Sequence, residues 1–122
     1  MPRSILDESL IHPAIRDKVA NLHADIVHNV RSAAASNPVL VVGMALNIPA
    51  RRARRLLDAA QVPYQYLQFG GYFGGWRRRN ALKMWTGWPT FPMVFVKGQL
   101  VGGASDLQRL VASGELKRLL GQ

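Results

Sequence analysis

The side chains in this sequence that could do chemistry are mostly cationic, and one important nucleophile is missing. None of the 122 residues is cysteine. Disulfides, thiolate nucleophiles and thiolate–metal centres supplied by the chain itself are therefore excluded. His12, His23 and His28 are the only histidines. Their spacing makes no i, i+4 ligand pair and no acidic cluster accompanies them, so they read as solvent-facing or capping residues. The cations fall into two runs, Arg51, Arg52, Arg54, Arg55 and then Arg77, Arg78, Arg79. With a formal net charge of +9, the chain favours anionic partners: small carboxylates, nucleic acid, anionic lipid or an acidic protein. Tyr72, Phe73, Trp76 and Trp85 lie near the second run. A basic, aromatic surface can hold single-stranded nucleic acid, but no recognised nucleic-acid motif accompanies it. A solvated basic face or an acidic protein partner is the favoured reading.

Elements must position these groups. Pro13 to about Ala35 reads as one long helix, because Ile15, Val19, Leu22 and Ile26 form a single apolar stripe. Ser36-Asn37-Pro38 stops it. Val39 to Met44 is a continuous apolar run, the pattern of a strand buried on both faces. Asn47-Ile48-Pro49 turns into a second helix with Ala53, Leu56, Leu57 and Ala60 on its inner side. Tyr64 to Gln68 alternates like a strand. A glycine-aromatic loop, Phe69 to Trp76, precedes a helix with Leu82 and Trp85 facing inward. Trp88-Pro89-Thr90-Phe91-Pro92 is stiff and extended. Met93–Val96 and Gln99–Val101 form a hairpin about Lys97-Gly98. Ser105 with Gln108 has the spacing of a capping box for a further helix, and Leu116, Leu119 and Leu120 mark a last short one.

This length holds one domain with a real apolar core. No apolar run reaches 18 residues, so no transmembrane helix is expected. The first residues lack a signal-peptide pattern, and a cytoplasmic location is the default expectation.

Three segments resemble the glutaredoxins, most closely their monothiol branch. Trp88-Pro89-Thr90-Phe91-Pro92 is similar to the family's segment before its cis-proline. Lys97 to Gly103 is similar to its turn and double glycine, and Ser113-Gly114-Glu115-Leu116 to its closing motif. The resemblance implies an α/β, thioredoxin-like fold: a four-stranded mixed sheet flanked by helices, with an added N-terminal helix. Residues 1–37 would be a helical extension packed on the same domain and 38–122 the glutaredoxin-like domain. The Gly70–Gly75 loop reads as a small insertion.

The resemblance also locates a departure. The nucleophilic cysteine's position falls on Asn47, the basic residue shortly before it is replaced by Met44, and the residue after the double glycine is Ala104. Asn is neither nucleophilic nor readily ionised, so thiol–disulfide exchange and a cysteine-bound iron–sulfur cluster are not expected. The family's glutathione site maps onto Asn47, Arg79, Phe91, Pro92, Gly103, Ala104, Ser105 and Asp106. Arg79, with Arg78 beside it, would clamp the glycyl carboxylate, and the helix start at Gly103–Asp106 the γ-glutamyl end. Asn47 also reads as a plain N-cap. The expected function is a non-catalytic module binding glutathione or a protein partner at the former active-site face. Two alternatives stay open: a glutathione-transferase-like enzyme in which Asn47 and a helix N-terminus activate glutathione, and a basic surface for nucleic acid or an acidic protein. No metal and no membrane partner is expected.

Overall fold

A computed structural model describes residues 2–70 and 75–121. The Val39–Gly43 strand, β1, lies at the centre, and every one of its residues is buried. Two layers of helices cover it. Leu40 and Val42 pack with Ile26, Val30 and Ala34 of α2 (Ala24–Ser36) and with Ala81 and Leu82 of α4 (Trp76–Thr86). Val39 and Val41 face Ala53 and Leu57 of α3 (Ile48–Ala59), Leu107 of α5 (Ala104–Ala112) and Leu116 of α6 (Glu115–Leu119). Alternate side chains of a strand point to opposite faces, so one short apolar run feeds both cores. Each such fully buried Leu or Val contributes about 1.5–3 kcal/mol relative to exposure.

The sheet order is β2-β1-β3-β4. β2 (Gln65–Gln68) runs parallel to β1, with Val41 opposite Tyr66. This pairing needs a crossover, and α3 supplies it. β3 (Met93–Val96) lies antiparallel on the other side of β1, with Val41 opposite Val94. β4 (Gln99–Gly102) closes the edge as the second arm of the hairpin. Lys97 and Gly98 both take positive φ at the turn. The four-stranded mixed sheet is the one expected.

The long N-terminal helix is not. It breaks into α1 (Pro13–Asn21) and α2, because Leu22 is extended and His23 is left-handed at φ 48°. Periodicity alone carried the stripe through this point, but packing does not. Ile26 is fully buried, whereas Ile15, Val19 and Leu22 are each about half exposed. A helix that must follow the sheet from Ile26 to Ala34 bends away from α1. Asn21 returns a side-chain hydrogen bond to the Asp17 carbonyl at 2.9 Å, the kind of local bond that competes with helix continuation. His12 caps α1, accepting from the Ala14 amide at 3.0 Å. A short 3-10 turn at Glu8–Leu10 precedes it. The loop read as an insertion at Gly70–Gly75, with Tyr72 and Phe73, falls mostly outside the described residues. No helix among those described is long and apolar enough to cross a membrane.

Candidate functional site

The first helix start of interest follows β1. Gly43 leaves room for side chains of both α3 and β2: a Cβ there would sit 2.9 Å from the Ala50 Cβ and 3.1 Å from the Tyr66 hydroxyl. Two backbone bonds tie the turn to the end of β2, Phe69 N–H to Gly43 O at 2.9 Å and Ala45 N–H to Gly70 O at 2.8 Å. Asn47 is the N-cap of α3, its Oδ1 accepting from the Ala50 amide at 2.8 Å. Such a cap satisfies one of the donors a helix leaves open.

The second start follows β4. Here the structure corrects the sequence reading. Gly103, not Ser105, is the N-cap of α5, and no side chain caps that helix. Asp106 provides the reciprocal half of a capping box, Oδ2 accepting from the Gly103 amide at 3.0 Å. Ser105 lies inside the first turn, and its Oγ accepts from Arg52 at 2.9 Å. That bond links α5 to α3.

Between the two starts runs Trp88–Pro92, with a cis peptide bond at Phe91–Pro92. The three pieces enclose a groove of about 490 Å³ that gathers Asn47, Phe91, Pro92, Gly103, Ala104, Ser105 and Asp106. Arg79 is not brought there. It faces inward from α4, 6% exposed, and donates to the Phe69 carbonyl at 3.1 Å. Lys83, one turn later on α4, lines the groove instead, its ammonium 5.8 Å from the Phe91 ring centre. Arg78 pairs with Asp25 at 2.6 Å, also away from it. Lys83, Arg52 and Trp88 also line the groove, although none belongs to the glutathione site that the resemblance maps. The one carboxylate on the wall, Asp106, is engaged by Arg109 at 2.6 Å. The free charge facing the groove is therefore positive.

Two other clefts are comparable or larger. One, of about 410 Å³, lies near Pro38, Tyr64 and Leu120, and another, of about 710 Å³, between α2 and α4. Neither sets two helix starts against each other with polar groups converging between them, and converging polar groups are what distinguish a ligand site from surface relief.

The glutaredoxin family model matches residues 50–101. A glutaredoxin-like protein of Dictyostelium discoideum is 38% identical over 102 residues, covering 84% of this chain and 83% of its own. This chain belongs to the glutaredoxin family. Oxidised glutaredoxin 2 of Chlamydomonas reinhardtii superposes with a TM-score of 0.71 at 25% identity, over 81% of this chain and 94% of that one. A buckwheat glutaredoxin solved as a glutathione complex gives the same TM-score at 24% identity, over 83% and 92% of the two chains. The glutaredoxin fold, thioredoxin-like with its mixed sheet between helices, is thus shared, while the cysteine is absent from this sequence.

Proposed function

We propose that this glutaredoxin-family chain is a non-catalytic module that binds glutathione, or a peptide of a protein partner, in the groove between α3, α5 and the Phe91–Pro92 segment. One observation carries the reading: the candidate ligand residues, Arg79 excepted, converge on one basic groove although they are spread from Asn47 to Asp106. The chemistry of each wall fits an extended peptide that carries two carboxylates. Phe91 lies just before a cis-proline and β3, where a ligand backbone can align like an added strand. The start of α5 has no side-chain cap, so its leading amides are available to a carboxylate. Arg52 and Lys83 supply charge for a second one.

Asn47 stands in the slot that the family resemblance gives to the nucleophile. Its Oδ1 is committed to Ala50, so its amide offers a ligand sulfur a hydrogen bond and no base. That argues against thiol activation by Asn47 and for simple binding. With no sulfhydryl in the sequence, a disulfide meets no attacking atom here.

Calorimetry with reduced glutathione tests the reading, together with amide shifts at Phe91 and Ser105. The expected result is saturable binding with shifts at both positions, weakened by Lys83→Glu. An absence of heat and of shifts at millimolar ligand removes glutathione from the proposal. Thiol–disulfide exchange at the rate of a cysteine-bearing glutaredoxin would remove the non-catalytic role.

A further inference from the structure

α3 carries more positive charge than its own stability can use. Arg51, Arg52, Arg54 and Arg55 fall in its first eight residues and no acidic residue occupies its first turn. Cations near a helix N-terminus meet the positive end of the dipole. Arg52 is held by Ser105. Arg51 and Arg54 point elsewhere, into a second and much smaller cleft of about 60 Å³ at the end of β2, shared with Tyr66 and Gln68. The cleft touches the groove only through Met44 and Asn47.

This cleft is built rather than incidental. The Arg54 guanidinium lies 4.2 Å over the Tyr66 ring, which fixes its plane. Its Nε is buried and has no hydrogen-bond partner, a donor whose desolvation is uncompensated. The Tyr66 hydroxyl makes only a long bond, 3.3 Å, to Gln68 Oε1. Ion pairs among the described residues join Arg78 to Asp25, Arg109 to Asp106 and Arg118 to Glu115. Among the described residues neither Arg51 nor Arg54 forms an ion pair. The Tyr64 hydroxyl and then Asp58 stabilise the Arg54 charge and raise its pKa, but neither of these two residues lines the cleft, and no acidic residue does.

We propose that Arg51, Arg54 and Tyr66 form a binding site for a phosphate group, separate from the groove. Two guanidinium groups and a phenolic hydroxyl match a compact tetrahedral dianion, which takes several charge-assisted hydrogen bonds at once. The volume admits one such group and excludes a peptide or a base. The dianion also offsets the mutual repulsion of the arginines at the head of α3. The group arrives either as free inorganic phosphate or as the head of a phosphomonoester, and both present the same oxygens to the cleft.

The test is a titration of the full chain with inorganic phosphate and, separately, with O-phosphoserine, followed by proton–nitrogen spectra that include the arginine Nε–H signals. Saturable shifts are expected at Arg54 Nε and at the Tyr66 and Gln68 amides. Arg54→Met should weaken binding about tenfold and Arg51→Gln severalfold, while Arg55→Met, which removes the same charge outside the cleft, changes it less than twofold. Tighter binding of the monoester identifies a carried phosphoryl group, and equal binding identifies the free ion. Glutathione-induced shifts at Phe91 and Ser105 should persist in Arg54→Met, so failure of either site is read separately. Shifts spread evenly over Arg52, Arg77 and Arg109, equal losses in Arg55→Met and Arg54→Met, or no saturation would overturn the proposal.

Discussion

Two helix starts face each other across the groove, and they are finished differently. α3 begins on an asparagine whose side chain closes back on Ala50. α5 begins on a glycine, with no side-chain cap, and only Asp106 reaches back to the Gly103 amide. Both ends present the positive pole of a helix. At α5 the leading amides stay open to an incoming carboxylate. At α3 the space for a reactive group is filled by a neutral amide, and arginines crowd the turn behind it. The difference separates two properties usually found together. Anion recognition rests on backbone amides and survives a change of side chain, whereas covalent chemistry rests on one atom and does not.

The sharpest way to break this contrast is to return the atom. Asn47→Cys should place a thiol at the head of α3 beside Arg51 and Arg52. The helix pole and the two cations should then hold it below the roughly 8.5 of a free cysteine. The pH dependence of alkylation by iodoacetamide measures this directly, against a parent chain with no thiol to alkylate. A thiol titrating at or above the ordinary value would mean that the α3 end no longer stabilises negative charge. The two starts would then differ in more than the missing sulfur.

On the α5 side the contrast depends on Gly102. Its φ is +117°, and a Cβ there would lie 2.6 Å from the Asp106 Cγ. Gly102→Ala therefore adds backbone strain and expels the carboxylate that orders the start of the helix. A loss of about 2–3 kcal/mol is expected in urea unfolding, with glutathione-induced shifts at Ser105 diminished. A cost under about 0.5 kcal/mol would show that Asp106 is not what holds this end open.

How much of this was legible in the sequence follows from what each feature depends on. β1 was legible because a strand covered on both faces is apolar throughout. The hairpin was legible because Lys97-Gly98 is a turn pair set between two short apolar segments, Met93–Val96 and Leu100–Val101. The segment Trp88–Pro92 and the double glycine placed the groove through their resemblance to glutaredoxins. The break at Leu22–His23 was not legible, since the apolar stripe continues across it and only tertiary packing decides which half is used. Nor was the exchange of Arg79 for Lys83. Both are cations on one helix a turn apart, and the choice rests on the Phe69 carbonyl, which captures the first and leaves the second at the groove. The α5 cap was misread for a different reason. A glycine cap has no side chain to announce it, and Ser105 two positions later looked like the better candidate.

That misreading yields the smallest and most discriminating comparison, a pair of alanine substitutions at the two starts. Asn47→Ala removes the acceptor of the Ala50 amide and should cost about 1 kcal/mol, the ordinary loss for a helix cap. Ser105→Ala removes no cap. Its hydroxyl accepts one bond from an exposed arginine, and such surface contacts are worth a few tenths of a kcal/mol. Parallel urea titrations, with Asn47→Ser as the conservative control that retains a capping oxygen, should therefore show a loss at Asn47 about three times that at Ser105, and near-parental stability for the serine. Equal losses at the two positions would mean that the Arg52–Ser105 bond couples α3 to α5 as strongly as Asn47 caps α3. The groove would then be held closed from its middle and not from its ends.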